Sequence, residues 1–198
     1  PATVVDFGRH ATHTVTLTSG SYWDDTGIVP LDNLYTWRKR VYDRTGFTPD
    51  VVIFGTAAWD AFRKNTDLKN TLGLFLSDAV KSRIGMLDIL PGSGTGLEYK
   101  GSDGNAQFWV YSGVYDSPDA ATQVALMDPR DVAVIATAGL QGAQCFGAIL
   151  DMDVLRAQRM FAKSWITDNP SARHVMTQSA PLMVPGRTNC TLKARVVA

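Results

Sequence analysis

The chain has 198 residues, 45% of them hydrophobic, which is enough for a real core in one large domain or two small ones. Lys and Arg number 19 and Asp and Glu number 19, so the net charge is zero. That balance argues against a dedicated nucleic-acid binder, leaves room for a modest basic face, and fits a surface that tolerates self-association.

In chain order, the sequence opens at Pro1 directly in strand-like residues, Thr3 to Val5, and reads as a processed or truncated product. Thr12 to Thr18 alternates His13, Val15 and Leu17 with threonines, the period-two pattern of a half-buried strand. Ser19 to Gly27 is a polar turn region containing Tyr22 and Trp23. The most legible stretch runs from Leu31 to Asn65 and predicts helix, strand, helix. Leu31, Leu34, Trp37, Val41 and Tyr42 share one helical face, with Pro30 before them and Gly46 and Pro49 after. Arg38, Lys39 and Arg44 fall on the wet face. Val51 to Phe54 is a short apolar, β-branched run, expected as a strand buried on both faces. Thr56 is placed to cap the next helix, and Trp59 and Phe62 are its inward anchors. Later strands are expected to join Val51 to Phe54, with both helices covering the sheet.

Leu68 to Val80 predicts a further helix and Ile84 to Leu90 a strand. Pro91 to Gly96 is a glycine-rich loop. Ser102-Asp-Gly-Asn105 predicts a hairpin between Leu97–Lys100 and Ala106–Tyr111. Thr122 to Met127, Val132 to Thr137 and Gln144 to Leu150 read as strands, Asp151 to Gln158 as a short helix, and Phe161 to Thr167, Arg173 to Ser179 and Thr191 to Val197 as strands. The fold class is α+β with much antiparallel sheet. Trp165, a large aromatic in an alternating strand, is expected to be a packing anchor.

Residues that invite chemistry each have a plainer structural explanation. His10 and His13, three apart in a strand, point to opposite faces and share no metal ion. Gly92, Gly94 and Gly96 resemble a phosphate cradle, but Leu97-Glu-Tyr-Lys100 follows where the Walker pattern needs Lys-Ser/Thr and a helix. No Gly-x-Ser-x-Gly occurs. Cys145 and Cys190 read as reduced, buried thiols. Asp151 and Asp153 suit a helix start better than a catalytic pair. The basic triplet Arg38-Lys-Arg40 reads as a solvated face. The longest apolar run, Val132 to Leu140, is too short to cross a membrane. No cofactor, no metal and no enzymatic activity are expected.

The C-terminal third is more specific. Lys163-Ser-Trp-Ile-Thr-Asp-Asn-Pro170, Arg173 and Gln178-Ser-Ala-Pro-Leu-Met183 resemble the closing signature of the lambda-type phage major capsid proteins, the capsid protein E family. Val5-Asp-Phe-Gly-Arg9, Val52-Ile-Phe with Trp59 and Phe62-Arg63, Tyr99-Lys-Gly101, and Val110-Tyr-Ser-Gly113 with Tyr115 are similar in the same order. The resemblance covers nearly the whole chain.

It implies a Hong Kong 97-like capsid fold, with residues 1–25 and 159–185 contributing peripheral-domain strands, 26–158 the axial domain, and 186–198 a final strand returning to it. On this resemblance the family's N-terminal arm, extended loop and spine helix are expected to lie outside this sequence. Trp37, Trp59, Phe62, Trp165 and Pro181 are then packing residues, and Gly92, Gly94 and Gly96 an axis loop. The implied partners are further copies in hexamers and pentamers, a scaffolding protein, a portal, a decoration protein, and packaged DNA on the inner face without sequence specificity. The implied location is the virion, after assembly in the bacterial host cytoplasm. The alternatives are a nanocompartment shell protein of the same fold and a nucleotide-binding enzyme using the Gly92–Gly96 loop.

Overall fold

A computed structural model describes residues 8–66, 68, 96–116, 123–151, 154–157, 159–168 and 171–198. The expected Thr3–Val5 strand, the Ile84–Leu90 strand, the Leu68–Val80 helix beyond Leu68, and Gly92 and Gly94 lie outside the described residues.

The strands are β1 (Thr14–Thr16), β2 (Val51–Gly55), β3 (Leu97–Asp103), β4 (Ala106–Tyr111), β5 (Val114–Tyr115), β6 (Val124–Ala125), β7 (Asp131–Ile135), β8 (Ala143–Phe146), β9 (Ala148–Asp151), β10 (Val154–Ala157), β11 (Phe161–Asp168), β12 (Ser171–Gln178), β13 (Pro181–Val184) and β14 (Thr191–Arg195). Among the described residues the α-helices are α1 (Pro30–Thr45), α2 (Thr56–Lys64) and the single turn α3 (Thr137–Leu140). Two compact units result: Pro1–Leu140 with Arg187–Ala198, and Gln141–Gly186. These bounds differ from those expected. Residues 8–25 belong to the first unit, because β1 pairs with β14, and 141–158 belong to the second.

The first unit is built on a six-stranded sheet in the order β1-β14-β7-β2-β4-β3. β2 is central, parallel to β4 and antiparallel to β7. Its register makes two faces. Val52 lies beside Phe108 and Val134, and Phe54 beside Val110 and Val132; Leu192 and Ala194 continue that row on β14. All eight are buried, and the inward residues of α1 and α2 join them in one core. The other face carries Val51, Ile53, Trp109, Ala133 and Ile135, all half-buried. Both helices therefore serve the Val52/Phe54 face, and β2 is fully buried on one side, not on two.

Pro30 starts α1 with a preset φ, and Gly46 ends it at φ 75°, donating its N–H to the Tyr42 carbonyl at 2.8 Å. Pro30, Leu34, Trp37 and Val41 are the buried stripe. Tyr42 is 52% exposed: it follows Val41 by one residue, about 100° around the helix. Thr56 does not cap α2; Gly55 is the N-cap, and Thr56 is the first helical residue. Gly55 is required there because a Cβ would stand 2.6 Å from the Asp128 carbonyl oxygen and closer still to that of Pro129.

The centre of the core is aromatic. Trp23 stacks on Trp37 with ring centroids 5.8 Å apart, and Phe54 meets Trp59, Phe62 and Phe108 at 5.3 to 5.5 Å. Trp23 has no exposed surface, although its neighbours form the polar turn region of the sequence. Burying a side chain of this size contributes about 3 kcal/mol, and each ring pair about 0.5–1.5 kcal/mol more.

Among the described residues, the second unit has three antiparallel strand pairs, β8 with β13, β9 with β10, and β11 with β12. The expected strand Gln144–Leu150 is split at Gly147, whose N–H goes to the Ala180 carbonyl. Of the expected helix Asp151–Gln158, Asp151 ends β9 and Val154–Ala157 is the strand β10, with Val154 opposite Asp151; Met152, Asp153 and Gln158 lie outside the described residues. Asp151 is thus a strand residue and not at a helix start.

Candidate assembly surfaces

Among the described residues, no group of three or more His, Cys, Asp or Glu is placed to hold a metal ion, and no helix is long and apolar enough to cross a membrane. Among the described residues, three kinds of surface are candidates for function.

The first is the apolar exposure of the second unit. In the β11–β12 hairpin Trp165 is opposite His174 and Ile166 opposite Arg173. Trp165 is 44% exposed, Ile166 70% and Val175 71%. Met160, Leu182 and Met183 are exposed nearby in sequence, while Ile149 and Phe161 are buried. Trp165 is therefore not the buried anchor expected from its alternating strand. A two-stranded hairpin has no third strand to cover that ring, which stacks instead on the His174 imidazole at 5.3 Å. Pro181 is likewise exposed, at the start of β13. Cys145 is exposed and Cys190 buried, and neither is in a disulfide.

The second is the half-buried face of the six-stranded sheet. Tyr99, 50% exposed, meets Trp109 edge-on at 5.3 Å. Gly96, the described end of the Pro91–Gly96 loop, sits at φ 69°. Its carbonyl accepts the Ser112 N–H at 2.6 Å, and a Cβ there would stand 2.9 Å from Gly113. The residue is fixed by this close backbone approach.

The third is an open basic cleft of about 820 Å³ between the N-terminal segment and the last turns of α1, lined by Thr12, His13, Thr36, Lys39, Arg40, Asp43, Arg44 and Asn189. A 3-10 turn, Ala11–His13, replaces the first part of the expected strand and brings the His10 and His13 rings to 6.4 Å, edge to face. They are not on opposite sides of a strand, and His13 is completely buried. Its Nδ1 donates to the Thr191 carbonyl at 3.2 Å, and its Nε2 is buried without a partner. Burial holds the imidazole below its ordinary pKa, a direction the nearby Arg44 charge reinforces. Arg40 donates to the Thr12 carbonyl at 3.0 Å, and Lys39 pairs with Asp43 at 3.3 Å.

Of the residues named from the sequence, Trp37, Trp59 and Phe62 are together in the core. Trp23 was missed because a tryptophan in a turn of Ser, Asp and Gly carries no periodic signal. The loop is drawn inward by the Trp23 N–H, which donates to the Val196 carbonyl at 3.0 Å.

Solved structures share this fold. A candidate capsid protein from a prophage of Escherichia coli CFT073 superposes with a TM-score of 0.72 at 21% identity, over 98% of this chain and 55% of that one. A phage-related protein from Bordetella bronchiseptica RB50 gives 0.54 at 10% identity, over 94% and 57%. In sequence, residues 2–196 match the family model for phage major capsid protein E, and the chain belongs to that family. The major capsid proteins of Escherichia phage lambda and Escherichia phage N15 are each 26% identical to it, and that of Enterobacteria phage P21 is 27% identical. Each match covers 91% of this chain and 52% of the relative, so the chain spans about half the length of these curated relatives.

Proposed function

We propose that this chain is part of a structural subunit of a tailed-bacteriophage capsid. The subunit has a Hong Kong 97-like fold and packs into hexamers and pentamers that close an icosahedral shell around double-stranded DNA. The match to the capsid family from residue 2 to residue 196 carries the reading. The exposed apolar hairpin supports it, because such strands gain stability when a neighbour covers them.

In that fold the unit Pro1–Leu140 with Arg187–Ala198 corresponds to the axial domain, and Gln141–Gly186 to part of the peripheral domain. The reading puts Gly92, Gly94 and Gly96 at a symmetry axis. Scaffolding, portal and decoration proteins are the expected partners, the host cytoplasm is the site of assembly, and the subunit works by contact and not by catalysis. Electron microscopy of a full-length homologous subunit containing this sequence tests it. Closed shells are expected. A protein that stays monomeric at high concentration with its scaffolding partner supplied, and turns over a small molecule, overturns the reading.

A further inference from the structure

We propose that the basic cleft at the Thr191 end of β14 binds the phosphate backbone of double-stranded DNA, without reading its sequence. The assignment deepens the capsid reading and rests on it only for the source of the polyanion.

The chain as a whole has no net charge, so a local excess is a matter of placement. In the cleft, Lys39, Arg40 and Arg44 stand against the single carboxylate of Asp43. Arg9 is held at the same strand end by its bond to the Thr191 hydroxyl, 3.1 Å. Arg40 and Arg44 lie one helical turn apart on α1, so both present charge along one line. The Thr12 carbonyl steadies the Arg40 guanidinium through one of its nitrogens. Asp43 cancels little, since its 3.3 Å pair with Lys39 is between two groups more than half exposed, and such pairs are weak and readily exchanged for a phosphate.

The rest of the lining selects the kind of partner. Every residue of the cleft is polar or charged. An interface with another protein is centred on desolvated aromatic or aliphatic anchors, and this cleft has none. The second unit shows the contrast, with Trp165, Ile166 and Val175 exposed on one hairpin. Three cations flanked by the Thr36 hydroxyl and the nitrogen of the Asn189 amide are the donor set that phosphate and sugar oxygens accept from, while the Thr12 hydroxyl is taken by His10 Nδ1 at 2.8 Å. His13 supplies no charge there at neutral pH, because its buried ring is held neutral.

The test is binding of this chain to fluorescent duplexes of two unrelated sequences, read by anisotropy between about 50 and 200 mM salt. Equal affinity for the two duplexes is expected, with log K falling against log salt by about 0.9 for each phosphate neutralised. The double variant Lys39→Gln/Arg44→Gln changes two exposed residues and should flatten that slope by about 2. Arg173→Gln, in the second unit, should leave it unchanged. Melting curves of all variants should superpose on the parent. Absence of binding at low salt, an unaltered slope in the double variant, or competition by polyglutamate as strong as by unlabelled duplex overturns the proposal. Shell formation by the full-length subunit is read separately. Shells without duplex binding overturn the cleft and leave the capsid reading standing; duplex binding lost in the double variant, without shells, does the reverse.

Discussion

Asn65 donates its side-chain amide to the carbonyl oxygen of Trp23 at 3.1 Å, in a site from which solvent is excluded. The same amide donates to the Ile28 carbonyl at 2.8 Å, and its oxygen accepts the Leu68 N–H at 3.0 Å. One side chain at the end of α2 thus holds both ends of the loop that carries Trp23 into the core. Asn65→Ala leaves buried carbonyls unpaired and should cost about 1–3 kcal/mol. Asn65→Asp keeps the shape but turns a carboxylate towards two carbonyls, and should cost more. Denaturant midpoints at unchanged m-value measure both; equal stability of the two variants would show that the amide donors are unimportant.

Trp23 and Trp165 should respond oppositely to truncation. Trp23→Ala removes a fully buried ring stacked on Trp37 and is expected to cost about 3–5 kcal/mol. Trp165→Ala in the isolated chain removes a half-exposed ring stacked on His174, and the loss should be about 0.5–1.5 kcal/mol. Thermal melts of both variants decide the matter. In assembled shells the Trp165 substitution should show its larger effect, on particle yield.

Gly55→Ala places a methyl group against the Asp128 and Pro129 carbonyls. Neither is the end of a flexible side chain, and Ala58 also uses the Pro129 oxygen, N to O 2.9 Å. The backbone must shift, at about 1–3 kcal/mol. Calorimetry of the variant checks this, and an unchanged midpoint would mean that the 128–129 turn yields freely.

Stability should fall on mild acidification because of His13. Its folded pKa lies below the ordinary value of 6.5, so the folded state prefers the neutral ring. The contribution is complete above about pH 6.5 and is lost as pH falls from there towards the folded pKa, since the unfolded chain takes up the proton first. Stability against urea, followed from pH 7.5 to pH 5, should show this limb. His13→Asn, whose amide can still donate to the Thr191 carbonyl, should show less of it.

The two thiols should separate by access. Cys145 is exposed, and Cys190 is buried, with its Sγ close against Gly139. A thiol reagent should modify one cysteine in the native chain and both in denaturant, without reductant. Modification of neither in denaturant would indicate a disulfide.

Much was decided by the sequence alone. The stripe Leu34, Trp37, Val41 and the run Val51 to Phe54 determined α1, β2 and α2, because period and breakers act within a few residues and leave local structure little choice. The closing segment from Lys163 to Met183 carried the family. Tertiary structure decided what depends on distant partners. Whether Trp23 or Trp165 is buried depends on what covers each ring: Val196 and Asn65 draw in the first, and a two-stranded hairpin leaves the second open. Val154 to Ala157 became strand and not helix because Ala148–Asp151 lies beside it. The basic cleft gathers residues from positions 12 to 189. No spacing rule reports such a cluster, since sequence periodicity encodes faces of single elements, and the cleft exists only where the start of the chain meets the Thr191 end of β14.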